Sequence, residues 1–276
     1  MTRVLLCTPM LFRQPTTEYV ISLLKTVQLL QQHGIALDSS FIGGDCFVEK
    51  ARNGLIQGFI ESWKTDYPCD VLVFIDDDQG WEAEAFLRIV LDQHEFIGVG
   101  VPKKTDDQTF NNTLLDSDEK GDCYIENGLL RSTQIGSGFI ALKRTMIEKM
   151  MKAYPQQYIP GDGGCHKLHY NFFEAGVHWQ EGGWTPDKPG QFWGEDLTFC
   201  QKWCALDKTD PKTGEKLEGK ERIWIDPNVS VEHVGRKSWH GNFMEFLQKH
   251  AKVITNEATP PAPITETLDT IRRLAA

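Results

Sequence analysis

The sequence predicts an α/β fold with a mostly parallel, doubly wound sheet, and three observations predict it. Short apolar runs alternate with helix-period stretches across residues 3–101. One of those runs, Val71-Leu72-Val73-Phe74-Ile75, is unbroken, as expected of a strand covered on both faces. That run stops abruptly at Asp76-Asp77-Asp78, which puts polar chemistry at the carboxyl end of a central strand, where such sheets bind their ligands.

Each element follows from local chemistry. Val4-Leu5-Leu6-Cys7 reads as a buried first strand stopped by Thr8-Pro9. Pro15 and Thr16 can start a helix, Val20, Leu24, Val27 and Leu30 fall on one face of it, and Gly34 closes it. A second strand spans 35–42, before Gly43-Gly44. Residues 46–63 repeat a helical pattern through Phe47, Ala51, Leu55, Phe59 and Trp63. After the central strand come a helix over 82–93 and a strand over 96–101. The polar, acidic stretch 105–133 reads as a loop or hairpin excursion. A glycine-bearing strand begins at Ile135 and leads into a helix over 145–154. Residues 155–193, rich in Gly, Pro, His and Trp, read as a long active-site loop rather than packed layers.

Residues 223–234 form a strand broken at Pro227, after a solvated insertion at 207–221. The expected organisation is one domain over 1–255, with a donor half at about 1–104 and an acceptor half at about 134–245. A Pro-rich linker and short helix follow over 256–276; the stripe Ile264, Leu268, Ile271 and Leu274 on that helix could pair two copies.

The balance of 40% hydrophobic and 25% charged residues is that of a globular chain, and a net charge of −10 disfavours broad nucleic-acid binding. The 7 cysteines are odd in number and scattered, which suits free thiols and a reducing cytoplasm. No apolar run approaches the roughly 18 residues of a membrane span, so a soluble, cytoplasmic protein is expected.

Three adjacent carboxylates repel one another, and a divalent cation is their natural partner. Oxygen ligands suit Mn²⁺ or Mg²⁺, and a metal held by few protein groups keeps positions free for phosphates. A solvated acidic turn is the plain alternative; the strand in front favours the metal. Glu195 and Asp196 open a helix, where either could act as a general base on a hydroxyl or Asp196 could merely cap. His233 lies beside Gly235 at a strand end, a ligand only if the aspartates are near. Arg52, Lys103, Lys104, Arg236 and Lys237 stand where a diphosphate could be neutralised. The run Gly136-Ser137-Gly138 allows close backbone approach. Trp193 and Trp239 belong to a late tryptophan cluster that could stack on a sugar or base. Cys165, His166, His169 and His178 are zinc-ligand types at a spacing that matches no standard structural site.

These segments together resemble glycosyltransferases of the nucleotide-diphospho-sugar type with the GT-A (Rossmann-like) fold, in particular family-2-like members found in bacteriophages. The resemblance rests on ordered blocks over roughly 3–242: Ala51-Arg-Asn-Gly-Leu, Val71-Leu-Val-Phe-Ile-Asp-Asp-Asp, Val101-Pro-Lys-Lys, Ile135-Gly-Ser-Gly-Phe-Ile-Ala-Leu-Lys-Arg, Gly194-Glu-Asp-Leu-Thr-Phe-Cys, and Ile225-Asp-Pro with His233-Val-Gly. It implies Asp76 and Asp78 as the D-x-D pair, with His233 as third ligand to Mn²⁺ or Mg²⁺. It implies Asp196 as the acceptor-activating base and Glu195 on the donor sugar or acceptor. Thr8, Pro9, Arg52, Asp77, Lys103, Gly136, Ser137, Gly138 and Lys237 would contact the donor, a UDP-sugar by expectation, and Trp193 and Trp239 the acceptor. The phage-like character points to a hydroxymethylated pyrimidine in DNA as acceptor, with polysaccharide or protein as rivals. Two other readings stay open. A sugar-phosphate nucleotidyltransferase usually carries a glycine-rich basic loop after its first strand; here residues 8–15 contain no glycine. A non-catalytic sugar- or nucleotide-binding module of the same fold would not need the acidic and histidine set.

Overall fold

The computed structural model describes residues 2–107, 109–110, 114–117, 119, 123–161, 167–178, 189–235 and 237–250. Its first part alternates strand and helix: β1 (Arg3–Met10), α1 (Thr17–Gln32), β2 (Ala36–Gly43), α2 (Val48–Ser62), β3 (Val71–Ile75), β4 (Gln79–Trp81), α3 (Ala83–Leu91) and β5 (Phe96–Val99). There follow β6 (Leu114–Leu115), β7 (Ile125–Glu126), β8 (Leu129–Gln134), β9 (Phe139–Lys143) and α4 (Arg144–Ala153). Two short hairpins, β10 (Gln157–Tyr158) with β11 (His169–Tyr170) and β12 (Gly176–His178) with β13 (Gln191–Trp193), precede α5 (Glu195–Cys204). The last part holds β14 (Asp207–Thr209), β15 (Lys216–Lys220), β16 (Ile223–Asp226), β17 (Ser230–Val234), β18 (Ser238–Asn242) and α6 (Phe243–His250).

The central sheet runs in the order β2-β1-β3-β9-β5-β16-β8-β6. Strands β2, β1, β3, β5 and β16 share one direction; β9 lies antiparallel between β3 and β5, and β8 antiparallel to β16. The result is a Rossmann-like α/β layering consistent with the GT-A fold, mostly parallel in its core. Alternation along each strand divides the core in two. Leu5 and Cys7 of β1, Leu72 and Phe74 of β3, and Ile140 and Leu142 of β9 face α2, α4 and α5. Their neighbours Val4, Leu6, Val71, Val73, Ile75, Phe139 and Ala141 face α1 and α3. Both faces of β3 are therefore buried, which is why its sequence is apolar without interruption.

Helix α1 starts where expected, with the Thr16 side chain capping Tyr19 N (3.3 Å), and is closed just past its His33 cap by Gly34 with φ +65°. Its buried face differs from the predicted one. Tyr19, Ser22, Thr26 and Leu30 point inward, while Val20 and Leu24 are exposed. Trp81 explains the rotation: its backbone N–H donates to Ser22 Oγ and its indole Nε1 to Thr26 Oγ1, both at 2.9 Å, so two small hydroxyls are wanted inside. The reading of 105–133 as an excursion is corrected at its end, because β8 joins the central sheet beside β16. The reading of 155–193 is corrected too. Phe172 and Phe173 are fully buried, and Phe173 stacks on Phe199 of α5 at 4.1 Å. The insertion 207–221 forms the β14–β15 hairpin with an exposed β15. Among the described residues no helix is long and apolar enough to cross a membrane, and Cys7, Cys46, Cys69, Cys123, Cys200 and Cys204 are free thiols. Residues 251–276, with the predicted linker and terminal helix, lie outside the described residues.

Candidate active site

The site is assembled where β3 ends. Asp76 N donates to Gly138 O (3.0 Å), which ties the start of the acidic triplet to the glycine run before β9. The chain then turns so that Gln79 N meets Asp76 O and β4 begins. β4 pairs antiparallel with β17, setting His233 opposite Gln79, and Val234 N donates to Asp78 O at 2.7 Å. This register carries a histidine far along the chain to the triplet: His233 Nε2 lies 3.3 Å from Asp78 Oδ1. Lys104 closes the other side, its Nζ 2.5 Å from Asp78 Oδ2.

The electrostatics of that contact are specific. His233 Nδ1 donates to Pro102 O at 2.7 Å, which orients the ring with Nε2 toward the triplet. Nε2 faces the buried Asp78 Oδ1 across that 3.3 Å. Burial alone would raise the Asp78 carboxyl, but His233 and Lys104 outweigh it and hold it below the ordinary value. Its neighbour Asp77 is pushed up to about 6, first by burial and then by the charges of Asp78 and Asp76. Asp76 turns away to Arg52, Oδ1 to Nη2 2.8 Å, and among the described residues no three His, Cys, Asp or Glu side chains gather as a metal cluster. The expected set of three ligands is thus two close groups, Asp78 and His233. A carboxylate and an imidazole nitrogen are donor types that would suit a divalent cation.

A cleft of about 180 Å³ adjoins this point, lined by Arg52, Asp76, Gln79, Val101, Gly136, Ser137, Gly138, Glu195, Asp196 and His233. Arg52, from α2, is buried between the rings of Phe74 and Phe173 at 5.4 and 5.9 Å. Its Nη1 donates to Ser137 O (3.0 Å), and its Nε lies 3.6 Å from Glu195 Oε1, so one guanidinium spans the aspartate side and the α5 side. Burial raises the Glu195 carboxyl, with Arg52 pulling the other way. Glu195 and Asp196 occupy the first turn of α5, whose N-cap is Gly194 rather than an aspartate. Asn53, beside Arg52, binds the chain of the following wall: Oδ1 accepts from Phe172 N and Phe173 N, and Nδ2 donates to Phe173 O at 2.7 Å.

Other predicted residues fall elsewhere. The Thr8 hydroxyl is fully buried against Tyr19 OH at 2.6 Å, so it faces the core, while Pro9 is half-buried near the end of β1. Lys103 is exposed, and the adjacent Lys104 is the one that reaches the triplet. Lys237 and Trp239 both meet Asp106, away from the cleft lining. Trp193 stacks on His178 at 4.1 Å. His169 packs edge-on to Tyr158, and Cys165, His166 and Arg236 lie outside the described residues. The residues that sequence reasoning passed over are Gln79 and, as the close partner of Asp78, Lys104.

No protein-family model matches the chain, and comparison with curated proteins gives no match. Among solved structures it is similar to the A197 protein from STIV, with 13% identity, a TM-score of 0.45, and coverage of 93% of this chain and 100% of that one. It is also similar to a glycosyltransferase involved in the glycosylation of the major capsid of PBCV-1, at 7% identity and a TM-score of 0.31 over 59% of this chain and 69% of that one. A third is a 4-diphosphocytidyl-2C-methyl-D-erythritol synthase from Anaerococcus prevotii, at 11% identity and a TM-score of 0.30 over 56% of this chain and 75% of that one.

Proposed function

We propose that this chain is a glycosyltransferase that moves a sugar from a nucleotide-diphospho-sugar to an acceptor hydroxyl, with Mn²⁺ or Mg²⁺ as cofactor. The observation that carries the reading is the meeting of Asp78 and His233 beside a cleft whose far wall is Glu195 and Asp196. When bound, the cation supplies charge neutralisation for the departing diphosphate. Asp78 and His233 would hold it, and Lys104 adds a positive charge at the same carboxylate. Arg52 keeps Asp76 and Glu195 close without mutual repulsion, so the cleft tolerates a dense set of carboxylates. Asp196, at the positive end of α5, takes the proton of the attacking hydroxyl in an inverting transfer. On the strength of the phage-like sequence blocks, the acceptor in this proposal is a hydroxymethylated pyrimidine in DNA, reached as an extruded nucleotide.

Donor hydrolysis with a UDP-sugar panel tests the reading. Turnover should require Mn²⁺ or Mg²⁺, and Asp78→Asn should lower it at least about a hundredfold while the melting temperature holds. Wild-type turnover by Asp78→Asn in excess EDTA would falsify it. Mass spectrometry of nucleosides from DNA containing hydroxymethylcytosine or hydroxymethyluracil, after incubation with enzyme and donor, tests the acceptor; no new nucleoside mass with any donor removes DNA.

A further inference from the structure

Gln79 is the least satisfied polar side chain of the cleft. It is 1% exposed, yet neither Oε1 nor Nε2 has a hydrogen-bond partner among the described residues. Buried amides are ordinarily paired, so an orphaned one in a well-packed wall asks for a ligand. Its surroundings say where that ligand lies. Gln79 is on the floor of the cleft, and a Cβ added at Gly138 would collide with its Nε2 and come within 3.2 Å of Asp76 Oδ2. Glycine at 138 therefore leaves the amide its place. Ser137, 4% exposed, lines the same cleft, and its Oγ is likewise without a partner among the described residues. Arg52 Nε also lacks a hydrogen bond, although it is ion-paired with Glu195 at 3.6 Å. Three residues that line one small space thus carry buried polar atoms without a hydrogen bond among the described residues.

We propose that Gln79 is a specificity-determining residue that reads two neighbouring hydroxyls of the transferred sugar, with Ser137 contributing a third polar contact. This rests on the glycosyltransferase reading of the same site. An amide offers one accepting and one donating end at a fixed separation, which matches a vicinal diol: the carbonyl oxygen accepts from one hydroxyl and the NH₂ donates to the next. A phosphate could use only the donating end and would leave the carbonyl orphaned. The cleft volume of about 180 Å³ also falls below the roughly 300–1,000 Å³ of drug-sized sites, so it suits one sugar ring with the nucleotide lying outside. A site built to hydrogen-bond a hydroxyl rejects the analogue that lacks it far more strongly than an apolar site can.

The test compares wild type with Gln79→Met, similar in length and without polar ends, and with Ser137→Ala. Three readouts are taken in Mn²⁺: melting temperature, UDP affinity by calorimetry, and kcat/KM for hydrolysis of UDP-glucose, UDP-galactose and their 2-, 3- and 4-deoxy analogues. The expected result is that wild type disfavours at least two adjacent deoxy donors by about a hundredfold or more, and that Gln79→Met flattens this to within about tenfold. UDP affinity should stay unchanged, and the melting temperature should rise by a few degrees, because removing an unpaired buried amide relieves the free protein. Unaltered discrimination by Gln79→Met overturns the inference and leaves the glycosyltransferase reading standing. So does a fall in melting temperature with Ser137→Ala also keeping the wild-type preference, since Gln79 is then a structural group. If wild type neither binds UDP nor hydrolyses any donor, the glycosyltransferase reading fails, and this inference with it.

Discussion

Lys143 is half-buried at the end of β9, where its Nζ donates to Val90 O at 2.6 Å. Burial lowers its pKa from 10.5 to about 8, against the smaller upward pull of Asp92 and Asp70. Between those values the unfolded chain keeps a proton that the folded chain has released, so stability gains with rising pH there. Below about pH 8 both states hold the proton and the burial penalty is fully present. Measured against Lys143→Met, wild type should therefore gain stability as pH rises from 7.5 to 10, read from denaturant midpoints at each pH. A flat difference would show the ammonium to be better solvated than its position implies. The site residues divide along the same line between what a sequence displays and what only packing decides. Asp78 could be nominated because it follows an apolar strand, and His233 because it sits near glycine at the close of a later strand. Gln79 could not, since a glutamine after an acidic triplet looks like part of a turn, and its burial depends on β17 arriving from far along the chain. Lys103 and Lys104 were separable only in three dimensions, because successive side chains of an extended segment point opposite ways.

At the scale of elements, the reading of α1 shows how a periodicity can be right while the face is wrong. Apolar spacing favoured Val20 and Leu24, but a helix beside a tryptophan edge gains more from hydroxyls that accept its N–H groups than from two further aliphatic contacts. The α2 helix and the 172–173 segment are joined by another such polar fastening, at Asn53. Asn53→Leu would leave two backbone N–H groups and a carbonyl buried without partners, and should destabilise the protein by about 2–4 kcal/mol. Phe173 also walls in Arg52, so the same variant should lose donor turnover more than its stability loss accounts for. Urea midpoints and donor kinetics on the folded variant check both. Turnover that merely tracks the folded fraction would separate this wall from the chemistry.

For the whole molecule, the alternation of apolar runs was enough for the layering, because a strand covered by helices on both sides must be apolar throughout. Strand direction was not legible. Nothing in Phe139-Ile-Ala-Leu-Lys143 records whether it runs with or against its neighbours, and that is settled by the connection from β8 on one side and α4 on the other. The excursion at 105–133 hid β8 for a similar reason: only alternate side chains of β8, Leu130 and Ser132, are buried, so its sequence is not apolar throughout.

The place of β9 bears on how the protein comes into being. It is the seam between β3 and β5, yet it is specified some forty positions after β5. Until a growing polypeptide reaches that point, two apolar edges face each other across a gap one strand wide, open to pairing with other chains. A fragment ending at residue 104 should aggregate or bind hydrophobic dyes, whereas one ending at residue 250 should unfold in a single cooperative step. Nascent protein would thus be most open to mispairing over one definable interval of translation, between the emergence of β5 and that of β9.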